Sequence, residues 1–157
     1  MIRGRSTVSI PAILFVAVTF LQFACADVEI VTGAYATIAE AQQSGALERG
    51  WIPPVLPPSA HDIRIAHDLE RNRRWGLFNF LPTDIEALRQ RLEPDEISAT
   101  GLNCGIPKRI EWWPLLLRGD LDGDQIKTAG LQIYRARKGD LIVAINWKQG
   151  RAYYWNR

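Results

Sequence analysis

Two histidines, each followed by an aspartate, are the residues best suited to acid-base or metal chemistry: His61-Asp62 and His67-Asp68. The alternating apolar residues around them predict a β-strand, along which six residues separate the two imidazoles by about 20 Å. Zinc needs three or four ligands within about 2.0–2.3 Å. We therefore expect no metal site and no cofactor, and we expect His67 to be hydrogen-bonded or partly buried.

A second group of candidate ligands is acidic, with Asp120, Asp122 and Asp124 at alternate positions as in a calcium loop. An EF-hand loop that began at Asp120 would need glycine and glutamate where Gln125 and Leu131 stand. The pattern therefore favours a solvated acidic turn. A weak calcium site of another kind is the alternative.

Residues suited to hydrolysis do not form a recognisable set. Glu93, Asp95 and Glu96 are the acids that glycan hydrolysis would use, but carboxylate pairs are common on protein surfaces. Cys104 lies in a turn-rich segment with no histidine nearby, and a lone cysteine is usually a small buried apolar residue. No serine-histidine-aspartate order, phosphate loop or His-Glu helix motif appears, so we assign no catalytic residue.

Six tryptophans are many for a chain of this length, and filling the core is their default role. Trp112 and Trp113 are adjacent and cannot both face inward on a strand, so at least one is expected at the surface. If a binding surface exists, we expect it at Trp51, Trp112 and Trp113. By contrast, the basic run of Arg71, Arg73 and Arg74 is expected to be solvated.

The amino-terminal residues 1–26 have the pattern of an export signal. Arg3 and Arg5 precede an apolar run from Ile10 to Phe23, and the run ends in small residues around Cys25. This run is shorter than the roughly 20 apolar residues that span a bilayer. We expect the working protein to begin near Asp27 and to lie in the periplasm or cell envelope.

Cys25 leaves two fates for the signal open. Ala24 and Ala26 flank it as at a simple cleavage site, whereas a lipoprotein signal usually has leucine where Gln22 stands. Simple cleavage is therefore favoured. The alternative is lipidation at Cys25, which alone would place the domain on a membrane.

Composition limits the remaining 131 residues to one ordinary domain, residues 27–157. Loss of the leader removes two arginines and leaves 17 basic and 17 acidic residues. A nearly neutral domain lacks the bulk charge that phosphate backbones attract, so we do not expect nucleic acid as a partner.

The first half of this domain should supply a strand, a helix and a hairpin. A strand is predicted over Val28–Val31, and a capping box at Thr37 predicts a helix over Ile38–Leu47. The proline-rich residues 50–60 should form an extended strap across the domain. The hairpin strands are Asp62–Leu69 and Arg74–Phe80.

Alternation assigns the faces of the first hairpin strand. Ile63, Ile65, His67 and Leu69 should face the core, and Asp62, Arg64 and Asp68 should face water. Apolar residues occupy both faces of the second strand, which predicts that it is central.

The second half should contain a helix and three more strands. Thr83 to Glu86 has capping-box spacing, and Ile85, Leu88 and Leu92 form one helical stripe that Pro94 closes. A short strand from Ile110 should pass into a helix at Pro114, after a loop over residues 95–108. A meander is predicted over Leu131–Arg137, Leu141–Trp147 and Ala152–Trp155.

These elements together predict an α+β fold. We expect an antiparallel sheet of five or six strands, made of the hairpin and the meander, with two or three helices packed on one face.

The strap and hairpin carry a resemblance to a known family. Residues 50–60, followed by Asp62-Ile63, His67-Asp68-Leu69, Asn72 and Trp75-Gly76-Leu77-Phe78, resemble the YbbD head domain family of small exported bacterial proteins. The similarity covers mainly Asp27 to Leu92. It implies a cell-envelope setting and supplies no catalytic residue, and the poor lipoprotein signal here departs from the lipidated members.

The functional expectation is a non-enzymatic envelope domain that binds a partner protein or an envelope polymer through the strap and neighbouring aromatic residues. The alternative is a hydrolase-like enzyme acting on an envelope substrate, with acidic loop residues and His61 or His67 as its acid-base groups. A flat exposed aromatic surface would favour the first, and a deep pocket with convergent carboxylates and a histidine the second.

Overall fold

The computed structural model describes residues 29–156, which form a six-stranded antiparallel sheet with a few short helices. The α+β prediction is therefore confirmed. The predicted export signal and Cys25 lie outside the described residues. Within them, no helix has the length and apolar character needed to span a bilayer. The strands are β1 (Ile30–Thr37), β2 (His61–Asp68), β3 (Arg73–Asn79), β4 (Gln132–Arg135), β5 (Leu141–Asn146) and β6 (Arg151–Asn156), and the helices are α1 (Ile38–Gln43), α2 (Ile85–Arg89) and α3 (Gly123–Thr128).

The strand order is β1-β2-β3-β6-β5-β4, so the predicted hairpin and meander both form. They are joined where β3 pairs with β6, with Trp75 opposite Trp155 and Asn79 opposite Arg151. The second hairpin strand is central, as its two apolar faces predicted. This pairing brings residues far apart in the sequence onto one sheet surface.

Both faces of the sheet are covered: α1 and α2 pack on one face, as predicted, and α3 lies on the other. Ala41 of α1, Leu88 of α2 and the strap belong to one core cluster, which we call the strap face. Ile126 of α3 and the loops between residues 97 and 131 form a second cluster on the opposite face, which we call the loop face. The reason is that β5 is buried at every position and needs cover on both sides.

The first strand is longer than predicted, because the alternation continues through Tyr35 up to the helix cap. At that cap the Thr37 hydroxyl accepts from the Glu40 N–H at 3.2 Å, as the capping box predicts. The Glu40 carboxylate reaches one residue further back and accepts from the Ala36 N–H at 2.6 Å. The helix ends at Gln43, before the predicted Leu47.

Asp68 faces the interior, contrary to the prediction that it faces water. Its side chain is nearly inaccessible and accepts from the N–H groups of Glu70 and Arg71, while the Arg71 guanidinium lies 3.3 Å from Oδ2. Burial raises the pKa of Asp68, whereas these hydrogen bonds and the Arg71 charge lower it. The lowering is the larger effect, so the net pKa lies below its usual value. A strand-end carboxylate is thus used to close the hairpin turn. Leu69, predicted to face the core, is exposed.

The second capping box does not form. A 3-10 turn over Pro82–Asp84 precedes α2, and no side chain caps α2. The Asp84 carboxylate instead accepts from the Ser59 N–H of the strap at 2.7 Å. The stripe prediction holds in part, because Leu88 and Leu92 are buried and Ile85 packs partly buried against them.

No strand forms at Ile110. Pro114 caps a single 3-10 turn over Leu115–Leu117 instead of opening an α-helix. The Trp113 indole N–H donates to the Leu117 carbonyl at 2.9 Å, which ties the turn to the core. This segment covers the sheet through the apolar contacts of its side chains and does not pair as a strand.

Candidate functional site

Trp113 is a core residue, so its assignment to a binding surface is wrong. Its side chain is 2% exposed. The ring makes edge contacts with Tyr153 and Trp155 at centroid distances of 5.7 and 6.2 Å. These rings anchor the loop face to β6.

Trp112 is only half-buried and packs against Trp113 at a centroid distance of 5.9 Å. Its indole N–H has no hydrogen-bond partner among residues 29–156. The ring borders an open groove on the loop face, which we call the sheet groove. The lining of this groove includes Ala34, Arg64, Leu77, Asn79, Trp112 and Arg151, together with two acids, Glu40 and Asp62.

The sheet groove exists because four strands place one residue row on the same side. Ala34 of β1 pairs with Arg64 of β2, and Arg64 pairs with Leu77 of β3. Asn79 of β3 then pairs with Arg151 of β6. A row of small and long side chains across neighbouring strands leaves a depression over the small ones.

Hydrogen bonds between polar side chains of the groove fix their orientation. The Asn79 amide donates to Asp62 Oδ2 at 3.0 Å, and Arg151 Nε donates to Asn79 Oδ1 at 2.8 Å. The exposed Arg64 side chain makes no hydrogen bond or ion pair with the part of the chain that the structure describes. The groove thus offers one oriented guanidinium, one unpaired guanidinium and one aromatic face. The Asp62 and Glu40 carboxylates also line it, and they accept from the Asn79 amide and the Ala36 N–H. Guanidinium groups bind carboxylates in a planar, two-point geometry.

Trp51 lies on the other face of the sheet, so the structure does not bring the predicted aromatic residues together. It packs partly buried against the strap-face cluster, with the Arg49 guanidinium 4.2 Å from its ring centroid. The strap beside it forms an apolar groove bordered by Arg74 and Arg91. Both arginines already donate to strap carbonyls, Arg74 to Gly50 and Arg91 to Pro54 and Leu56.

The candidate acid-base groups do not converge. His61 Nδ1 lies 3.0 Å from the Ser59 carbonyl at one end of β2, and His67 Nε2 lies 3.3 Å from Asn72 Oδ1 at the other end. Glu96 accepts from Gln132 of β4, on the opposite edge of the sheet from β1. Over residues 29–156, no group of three histidine, cysteine or acidic side chains is placed to hold a metal.

The acidic turn has a structural role. Asp122 is the N-cap of α3 and accepts from the Asp124 and Gln125 N–H groups at 2.9 and 3.1 Å. Asp120 accepts from the Asn103 amide at 2.9 Å. Two of the three carboxylates are therefore committed to local hydrogen bonds.

Cys104 is buried in the loop-face cluster. Burial raises the pKa of its thiol to about 12, which keeps the sulfur neutral. Its carbonyl accepts from the Trp75 indole at 2.7 Å and from Arg73 at 3.0 Å. Arg73 and Arg74 donate to loop carbonyls, which corrects the prediction that they are solvated, whereas the Arg71 side chain is exposed as predicted.

Sequence reasoning missed Arg64, Asn79 and Arg151 as site residues. The parity of β2 placed Arg64 on the side opposite Ile63 and Ile65, which is correct. The pairing of β3 with β6 was the missing information, because it alone puts Arg151 beside that row.

The fold and the groove define a small antiparallel α+β module with an open groove on one face. Residues 29–79 match the family model of the YbbD head domain, which confirms the resemblance over β1, the strap, β2 and β3. No curated protein and no solved structure matches the chain. Ala34, Arg64, Leu77 and Asn79 lie inside the matched residues, whereas Trp112 and Arg151 lie outside them.

Proposed function

We propose that this chain is an exported cell-envelope domain that has no catalytic activity and binds a partner protein or an envelope polymer in the sheet groove. The observation that carries the proposal is the placement of unpaired Arg64 beside oriented Arg151 and the half-buried Trp112 ring. Two guanidinium groups fit carboxylates, and an aromatic face fits a sugar ring or an apolar side chain. The ligand is therefore a carboxylate-bearing polymer or an acidic segment of a protein.

The geometry supports binding better than hydrolysis. Glu93 and Glu96 lie along β4, at the far edge of the sheet from the groove. The two acids that line the groove, Asp62 and Glu40, accept from the Asn79 amide and from the Ala36 N–H. His61 bonds to the strap. A general acid and base must reach the same substrate, and these groups do not share one site.

The test is a binding assay with the chain that begins at Asp27, using purified peptidoglycan as a carboxylate-bearing polymer and a glutamate-containing peptide as a protein-like ligand. We expect saturable binding to at least one of them. Arg64→Gln and Trp112→Ala should each weaken it by about tenfold, since each removes one principal contact.

Matched controls carry the same changes elsewhere on the molecule. Arg137→Gln removes an exposed positive charge after β4, and Trp51→Ala removes a half-buried ring on the strap face. Both controls should bind as the unchanged chain does. Loss of binding in Trp51→Ala but not in Trp112→Ala would place the ligand on the strap and overturn the proposal.

A further inference from the structure

The two edges of the sheet differ in how they are protected. The edge strand β4 is covered, because the Glu93 and Ile97 N–H groups donate to the carbonyls of Arg135 and Ile133. The other edge strand, β1, pairs with β2 on one side only. Among residues 29–156, no backbone group pairs with the outer side of β1.

Alternation identifies which backbone groups of β1 point outward. The Leu69 N–H donates to the Glu29 carbonyl, so the odd-numbered residues of β1 direct their backbone groups toward β2. The even-numbered residues therefore point away, and the Ala36 N–H confirms this because it is capped by Glu40. The outward N–H and C=O groups of Ile30, Thr32 and Ala34 have no backbone partner among residues 29–156.

Exposed edges are normally protected against pairing by charge, proline or a bulge. The sequence of β1 is Ile-Val-Thr-Gly-Ala-Tyr-Ala-Thr, with no charged residue and no proline. Its register with β2 is unbroken from Ile30 to Tyr35. This edge is therefore open to an added strand from Ile30 to Ala34, whereas the Glu40 carboxylate occupies the Ala36 N–H.

The side chains beside this edge indicate what the added strand carries. Arg64 stands opposite the small side chain of Ala34, and an added strand would run about 4.8 Å beyond β1. The long Arg64 side chain can span that width over alanine, and it has no partner among residues 29–156. An acidic side chain on the added strand would supply one.

We propose that β1 accepts an extended acidic segment of a partner polypeptide as a seventh strand, with its acidic side chain against Arg64. The proposal rests on the proposed function and narrows the ligand to a polypeptide. A second copy of the chain fits less well, because β1 itself contains no acid to meet Arg64. Backbone hydrogen bonds would supply affinity, and Arg64 would supply selectivity.

The direct test is amide hydrogen exchange of the chain that begins at Asp27, measured with and without an octapeptide. The peptide has valine at every second position and glutamate or threonine at the positions between. Exchange at Ile30, Thr32 and Ala34 should slow by about tenfold or more when the peptide saturates the protein. Val31, Gly33 and Tyr35 already face β2 and serve as internal controls. Binding that leaves the exchange of Ile30, Thr32 and Ala34 unchanged would refute strand addition while leaving the sheet-groove proposal standing.

Two altered probes separate backbone pairing from side-chain binding. The same peptide with N-methyl groups on the pairing edge should bind about tenfold more weakly, because it loses donors but keeps its carboxylates. A lysine version should also bind more weakly, and Arg64→Glu should reverse that preference. Equal binding of the methylated peptide would overturn the inference.

A variant of the protein tests the same edge. Ala34→Pro removes an outward N–H at a position where an edge strand tolerates proline, and Ala34→Ser is its matched control. We expect peptide binding to be lost only in the proline variant. Sedimentation of the unchanged chain should show a monomer, and a dimer abolished by Ala34→Pro would instead identify a second copy as the occupant.

Discussion

Gly76 and Tyr154 face each other across β3 and β6, and the tyrosine ring lies where a side chain at residue 76 would stand. The ring is fully buried in the strap-face cluster. Its hydroxyl has no hydrogen-bond partner among the described residues. A buried hydroxyl without a partner lowers stability, because it gives up its bonds to water and gains none. Phenylalanine would fill the same space without that loss.

We therefore expect Tyr154→Phe to raise the free energy of unfolding by about 1 kcal/mol. Burial also raises the pKa of Tyr154 above its ordinary 10.0. The folded state thus favours the neutral phenol, and the unchanged protein loses stability as pH rises above about 10. The advantage of the variant should widen there. Urea unfolding at neutral pH and at about pH 10.5 would measure both effects, and a less stable variant would contradict the reasoning.

Gly76→Ala should act in the opposite direction. A Cβ at residue 76 would overlap the Tyr154 ring. Overpacking of this kind costs about 1–3 kcal/mol in free energy of unfolding. Gly123→Ala is a matched control, since a Cβ there meets nothing within 4 Å. Equal urea midpoints for the two variants would show that the ring yields without strain.

Among the elements, the strap is held in place by side chains of the α2 region, one of which, Asp84, the sequence pattern assigned to a helix capping box. The Asp84 carboxylate bonds to the Ser59 N–H, and the Ser59 hydroxyl accepts from the Leu81 N–H at 3.0 Å. Arg91 donates to two strap carbonyls from beyond α2. These contacts replace the backbone ladder that a proline-rich segment cannot make. The strap and the α2 region should therefore respond together to mutation.

Asp84→Asn should destabilise the protein at neutral pH. The Ser59 N–H and hydroxyl lower the pKa of Asp84 below its ordinary 3.8; burial opposes this, and nearby Arg91 adds to the lowering. The charged form stabilises the fold above about pH 4, and this contribution is lost as pH falls through the lowered pKa. The difference between the two proteins should shrink in acid.

Thermal unfolding at about pH 6 and about pH 2.5 would check this dependence. Glu86→Gln changes an exposed acid in the first turn of α2, two residues away; it is the control and should show little effect at either pH. A constant difference between Asp84→Asn and the unchanged chain at both pH values would argue against a charge-assisted bond.

For the whole molecule, the sheet separates two apolar clusters that share no side chain. β5 contributes to both, with Val143 and Ile145 toward the strap face and Ile142 and Ala144 toward the loop face. Loss of either cover exposes one side of the central strands to water. We therefore expect the two faces to unfold together.

Cys104 reports on this cooperativity from the loop face. Its thiol is buried, with its pKa raised to about 12, so a thiol reagent requires both exposure and ionisation. In a chain with Cys25→Ser, labelling of Cys104 should proceed only at the rate of global unfolding. A substitution that stabilises the strap face, such as Tyr154→Phe, should therefore also slow the labelling of Cys104. Fast labelling in native buffer would show that the loop face opens independently.

The sequence by itself located the six strands of the sheet and the strap, because these depend on residues close along the chain, although the short strand expected at Ile110 does not form. The export-like leader pattern is likewise a feature of the sequence alone. Period-two alternation marks the strands, proline excludes ladders and helices, and turn residues define the hairpin and the meander. The family resemblance over β1 to β3 was also legible there.

Only the tertiary structure decided which of Trp112 and Trp113 is buried and where Asp68 and Asp84 direct their carboxylates. It also decided that both faces of the sheet are covered. It also joined β3 to β6, which set Arg151 in the same groove as Arg64. A strand pattern states which residues share a face but not which strand lies alongside. That choice depends on the burial of the whole sheet, and the sheet groove and the open β1 edge both follow from it.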